Sequence, residues 1–118
     1  MKIIRAQEKK WQGKQGYSKK IFLDEKDLNY PGALFQEIKI KSGETAEAHH
    51  HKVQTEVFYF LTKRGYWMIN GEQKEFEIGD VLVIEPGDIH SVTNDTSEDY
   101  VYLAFKFNYN SHDLYWER

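Results

Sequence analysis

The sequence predicts an all-β domain, and three observations carry that expectation. From residue 33 onward side chains alternate with a period of two: Leu34, Gln36, Ile38 and Ile40 fall on one face, and Phe35, Glu37, Lys39 and Lys41 on the other, as in a half-buried strand. Turn residues such as Asn70-Gly71, Gly79-Asp80 and Pro86-Gly87-Asp88 separate short β-branched and aromatic runs, at the spacing of about 8 to 12 residues typical of sandwiches and barrels. No window of about eleven residues keeps an apolar stripe at helical spacing.

In chain order, residues 1–32 mix charged and aromatic side chains around Gly13 and Gly16 and form an N-terminal extension. Lys19 to Leu23 has the composition of an edge strand there, and Asp27 to Gly32 reads as a turn around Pro31. Residues 33–107 hold the barrel. Within them Glu56 to Thr62 is an aromatic, β-branched run, and Tyr66 to Ile69 leads into Asn70-Gly71, the strongest short hairpin signal. Val81 to Ile84 reads as a strand buried on both faces, and His90–Asn94 and Tyr100–Phe107 complete the set. Residues 108–118 form a C-terminal tail. Seven or more short strands imply a sandwich or a small closed barrel.

Composition narrows the class of function. At 118 residues the chain is one domain, and 15% aromatic residues argue for a packed interior rather than disorder. No apolar run approaches the roughly 18 residues of a membrane span, and no secretory signal is visible behind the first residues, so a cytoplasmic protein without membrane partners is expected. A net charge of −3 with scattered lysines speaks against nucleic acid. With no cysteine there is no disulfide, thiolate nucleophile or iron–sulfur site.

Five histidines remain: His49, His50, His51, His90 and His112. In an extended segment His49 and His51 share a face while His50 points away. Glu56 opens the next strand, and His90 opens a later one. Together they make a set of three imidazoles and one carboxylate. Such nitrogen and oxygen donors suit one divalent transition metal ion among Fe, Mn, Co, Ni, Zn and Cu, and the lack of thiolate argues against a structural zinc site. His50 and His112 read as surface residues.

The stretch Gly43-x5-His49-x-His51-x4-Glu56 resembles the first motif of the cupin superfamily, and Gly79-x5-Glu85-x-Gly87-x2-His90-x3-Asn94 its second. Lys63 stands where the first motif ends in glycine, and Glu85 where the second has proline. Both lie at turns, where Gly65 and Pro86 can serve the backbone instead. The resemblance implies a single-domain cupin, a double-stranded β-helix or jelly-roll barrel, with the ion in its mouth. It assigns ligand roles to His49, His51, Glu56 and His90, structural roles to Gly43, Gly79, Gly87 and Asn94, and a homodimer as the assembly. It does not choose a reaction.

Strand phase adds pocket candidates. Phe58 and Phe60 share the phase of Glu56, Trp67 faces the same interior, and Tyr102 falls on the inner face of the last long strand. Gln36, on an otherwise apolar face, needs a polar partner such as a substrate or a metal-bound water. Asn94 reads as an anchor of its turn. Proton transfer would fall to Tyr59, Tyr102, a water held by Gln36, or metal hydroxide. Arg5, Arg64 and Arg118 lie outside the predicted strands, which argues against an arginine clamp; Lys39 or Lys106 would replace it only if directed inward. Two functions stay open. One is a metalloenzyme of oxygenase, isomerase or lyase type acting on a small oxygen-bearing molecule. The other is a non-catalytic module that binds a small ligand or senses metal.

Overall fold

The period-two alternation becomes strand pairing in the computed structural model, which describes residues 1–118. Eleven strands form: β1 (Gln12–Lys14), β2 (Tyr17–Leu23), β3 (Leu34–Ile40), β4 (Thr45–His50), β5 (Thr55–Phe60), β6 (Tyr66–Ile69), β7 (Glu72–Lys74), β8 (Val81–Ile84), β9 (His90–Thr93), β10 (Tyr100–Phe107) and β11 (Tyr115–Trp116). They build two antiparallel sheets, ordered β1-β2-β3-β10-β5-β8 and β11-β4-β9-β6-β7. Their inner faces bury a shared core of Ile38, Ile40, Phe58, Trp67, Val92, Tyr100 and their neighbours. The jelly-roll barrel expected from the sequence is therefore present.

Several local features explain the path of the chain. Asn70 and Gly71 both take positive φ, 50° and 82°, as a tight two-residue hairpin turn between β6 and β7 requires. Asn94 is fully buried and anchors its turn. Its Nδ2 donates to the carbonyls of Ile40 at 2.8 Å and Glu98 at 2.7 Å, and its Oδ1 accepts from the Thr96 N–H and hydroxyl. Trp67 Nε1 donates to the Tyr100 hydroxyl at 3.2 Å, so the buried indole leaves no orphan donor.

Four readings of the sequence differ from the structure. The turn expected over Asp27–Gly32 begins as a short helix, α1 (Glu25–Leu28), because Asp24 and Asp27 form a reciprocal capping box. Asn29, at φ 51°, ends it. Second, β8 is not buried on both faces: Val81 and Val83 are 57% and 48% exposed. This strand is the edge of its sheet, and only Leu82 and Ile84 turn toward the interior. Third, the polar strands β1 and β7 give no apolar alternation to read, since every residue in them is exposed. Fourth, residues 108–118 are more than a tail, because β11 extends the second sheet alongside β4.

Gly65 occupies the turn that the first motif usually closes two residues earlier. It sits at φ 61°, and a Cβ there would lie 2.1 Å from the Thr93 carbonyl oxygen. Gly65→Ala is therefore expected to cost about 2–4 kcal/mol through backbone strain and displacement of β9. Thermal unfolding followed by circular dichroism should show the midpoint falling by about 10 °C or more.

Candidate metal centre

The site begins with an irregularity in β4. Ala46 faces the core opposite Val92, and strict alternation from Ala46 would carry Ala48 and His50 inward. The pairing instead slips between Ala46 and His49, so that three residues on β4 span the same distance as two on β9. A bulge of this kind reverses the phase of the residues beyond it. His49 consequently pairs with His90 and faces inward, and His51, just beyond the strand end, is 6% exposed. His50 points outward, stacks on Tyr115 with ring centroids 5.3 Å apart, and bonds the Glu117 carboxylate.

His90 is set by the turn that precedes it. The Asn70 side chain donates to the Asp88 carboxylate and accepts from the Ile89 N–H, both at 2.9 Å. The Asp88 carboxylate also accepts from the Glu85 N–H. Gly87, at φ 91°, donates its N–H to the His51 carbonyl at 2.7 Å, joining this turn to the first pair of histidines. Glu56 comes from the opposite sheet, on β5, paired with Lys106 and Ile84.

Hydrogen bonding fixes the ring tautomers. Nδ1 of His49 lies 2.8 Å from the Glu47 carbonyl oxygen, that of His51 2.5 Å from Asp113, and that of His90 2.9 Å from Asp88. A carbonyl can only accept, so each Nδ1 carries the proton, and any of these rings that is neutral presents a bare Nε2 to the site. These nitrogens and the Glu56 carboxylate all lie within 4.8 Å of one another. Glu56 Oε1 is 2.7 Å from His51 Nε2 and 3.6 Å from His90 Nε2, yet this buried oxygen has no well-aligned donor. Four such groups facing one another in a largely buried space could hold a cation among them. Metal–ligand bonds of about 2.1 Å place donors about 3 to 4.2 Å apart, so small side-chain shifts from the present 2.7 Å and up to 4.8 Å separations would close this cluster around an ion. The donor set thus fits the expected divalent ion.

The surroundings set the charge states. Burial, followed by the proximity of His90, lowers the His49 pKa to about 4, so the ring is neutral near pH 7. Burial alone would raise the Glu56 pKa. Donation from the His51 and His90 rings, which needs a proton on Nε2, and then the Lys106 ammonium reverse that effect and hold the carboxyl well below its usual range.

Above the four donors lies a cavity of about 390 Å³, a size typical of small-molecule sites. Gln36, Phe58, Trp67 and Tyr102 line it. Phe60 does not: it is fully buried in the core, stacked on Phe76 at 4.7 Å. Tyr59 is on the outer face and 40% exposed, which removes it as a proton-transfer candidate. Burial, then Tyr100 and Glu56, raise the Tyr102 pKa well above its ordinary value, so this hydroxyl is a donor rather than a base. Lys106 faces the cavity, whereas Lys39 lies outside over the Trp11 ring at 4.1 Å. No arginine lines the cavity.

The C-terminal segment contributes residues that the sequence did not mark. Asp113 is buried, and its carboxylate accepts from the N–H groups of Lys52, Val53 and Gln54 at 2.7–2.9 Å, while its carbonyl holds His51. Burial would raise the Asp113 pKa, and these three N–H bonds lower it overall. Trp116 pairs with His49 across the sheet, with ring centroids 5.5 Å apart. Gln54, Tyr17 and Lys19 also line the cavity. Gln54 and Lys106 carry a readable signal, since they stand two residues from Glu56 and in phase with Tyr102; Asp113 carries none.

The profile of the family described as "Cupin domain" matches residues 36–106. The chain belongs to the cupin family. Among curated proteins, the oxalate-binding protein of Thermotoga maritima is 28% identical over 82 residues, covering 70% of this chain and 68% of that protein. The crystal structure of a predicted oxalate decarboxylase from Thermotoga maritima superposes with a TM-score of 0.75 at 23% identity, covering 90% of this chain and 98% of that one. The polyketide cyclase RemF from Streptomyces resistomycificus gives a TM-score of 0.79 at 16% identity, covering 96% and 89%. These two likenesses show the shared fold. No helix of this cupin is long and apolar enough to cross a membrane.

Asp113 links the C-terminal segment to the imidazole of His51. Asp113→Asn leaves the fold in place but removes an acceptor from three clustered N–H groups. Metal affinity measured by competition with a chelator should fall about 10- to 100-fold, as for other residues that orient ligands. Unchanged affinity would show that His51 keeps its orientation without Asp113.

Proposed function

We propose that this cupin holds one divalent transition metal ion on His49, His51, Glu56 and His90 and works as a metalloenzyme on a small oxygen-bearing molecule bound above that ion. The observation that carries this reading is the convergence of three imidazole Nε2 atoms, each on a ring whose Nδ1 is held by a carbonyl, on a buried carboxylate with no aligned donor. A bound metal would supply Lewis-acid chemistry or, if redox-active, oxygenase chemistry. The chain's own residues shape the reaction space. Phe58 and Trp67 exclude water from one wall. Tyr102, kept protonated, offers a donor to a developing oxyanion.

A second reading is a binding module, and a specific observation favours it. The cavity holds no carboxylate or imidazole beyond the four donors except Asp113, whose carboxylate is occupied by three backbone N–H groups. No carboxylate or imidazole in the walls is therefore free to act as a general base. The resemblance to an oxalate-binding protein points the same way.

Metal content after native purification tests both. One equivalent per chain is expected, falling to background in His49→Ala and His90→Ala. Oxygen uptake and product formation are then measured with oxalate, small keto acids and diols. Turnover supports the enzyme, tight binding without turnover supports the module, and metal-free protein after loading contradicts both.

We also propose a homodimer in which a second copy covers the outer face of the six-stranded sheet. Tyr59, Val81, Val83 and Phe105 are each at least 37% exposed on that face, and β8 is an unpaired edge. Apolar surface of this kind on a strand edge favours association. Light scattering should give twice the 14.0 kDa chain mass, with Val83→Lys shifting the protein to monomer. A monomeric native protein would overturn the dimer.

A further inference from the structure

The four metal donors leave much of the cavity's polarity unused. Gln36 and Gln54 are each 1% exposed. Gln36 Oε1 finds no donor in the protein, and neither Oε1 nor Nε2 of Gln54 has a partner. Buried amides without partners are costly unless something else completes their hydrogen bonds. Both side chains line the same cavity as the metal donors.

Positive charge gathers around the same space. Lys14, Lys19 and Lys106 line the cavity, and none lies within ion-pair distance of a carboxylate. Lys106 sits on β10 opposite Glu56, so its stem starts about 5 Å from that of the metal-ligating carboxylate. Lys19 is opposite Ile38, on the inward face of β2. Burial, then the charges of Lys106 and Lys14, destabilise the Lys19 ammonium and lower its pKa. The two carboxylates of the cavity are already committed, Glu56 to the metal donors and Asp113 to the backbone. The mutually repelling ammonium groups, with Gln54 Nε2 as a further donor, make a receptor for an anion, and the bare Oε1 atoms of Gln36 and Gln54 suit a hydroxyl beside it.

We propose that this wall is an anion subsite and that the ligand is a small organic acid, with one anionic group between Lys19 and Lys106, further oxygens toward the metal donors, and polar atoms met by Gln36 and Gln54. The inference rests on the metal reading of His49, His51, Glu56 and His90. Lysines act here as point charges rather than as a planar fork, so charge and the size of the cavity select the ligand. That favours short di- and hydroxycarboxylates over neutral diols. Lys106 already lies over the Tyr109 ring and near Glu56, so neutral sugars and aromatic diols would leave Lys19 without a counter-charge.

The test uses the full-length protein loaded with zinc, with isothermal titration of oxalate, tartrate, inorganic phosphate and catechol. Lys19→Met, Lys106→Met, the double variant and the double arginine variant are compared, with metal content read on each sample. Wild type should bind oxalate or tartrate at least tenfold more tightly than catechol. Each methionine change should weaken carboxylate binding about tenfold, the double variant about a hundredfold, and catechol binding should stay within threefold. The double arginine variant, which keeps the charge, should retain carboxylate binding within about threefold. Gln54→Leu should lower carboxylate affinity without changing metal content. Full metal content with carboxylate affinities unchanged by the lysine variants would overturn the subsite and leave the metal centre standing. Wild type without metal would overturn the metal reading and this inference with it. Phosphate bound more tightly than either carboxylate would overturn the assignment to organic acids.

Discussion

The candidate site depends on three imidazole rings being held by backbone carbonyls around one buried carboxylate. A neutral imidazole has one N–H, and here each ring places it on a backbone carbonyl, of Glu47, Asp113 or Asp88. With the rings neutral, lone pairs and negative charge are left at the centre, an arrangement that a bound cation would relieve. The carbonyls therefore orient the rings, and the oriented rings with Glu56 make a donor set that would suit the proposed ion.

The barrel is arranged to hold that set from both sides. The five-stranded sheet supplies the histidines and the six-stranded sheet supplies Glu56, so an ion would join the two layers at the open end of the core. Each histidine is fastened by a different device. A bulge turns His49 inward, the Asn70–Asp88 bond fixes the turn before His90, and the C-terminal segment reaches back to hold His51. None of these devices lies in the core proper. The aromatic cluster of Phe60, Phe76, Trp67 and Tyr100 packs behind the cavity and gives these polar elements a stiff support.

Much of this is legible in the residues, though not always for the simplest reason. The two motifs place four chemically suited donors, and simple alternation groups His49 with His51. Alternation counted from Ala46 would bring His50 inward; only the bulge restores the pair, and a bulge leaves no mark in side-chain pattern. Val81–Ile84 shows why composition misleads: an apolar run reads as buried from both sides, but on this chain one face of β8 has nothing over it. The exposed strands β1 and β7 carry no apolar alternation, and β11 is only two residues long, so pattern alone cannot find them. Asp113 acts through its backbone carbonyl and through main-chain N–H groups, contacts that no residue type announces. Lys106 is readable, because it shares the phase of Tyr102 and Ala104, both of which are buried.

The proposed cation can be sought directly by X-ray absorption on the natively purified protein, at the edges of the first-row divalent metals. The account predicts a first shell of nitrogen and oxygen only, at about 2.0–2.2 Å, with outer-shell scattering from three imidazoles that drops to two in His90→Ala. A sulfur shell, or a metal bound with one imidazole or none, would contradict it.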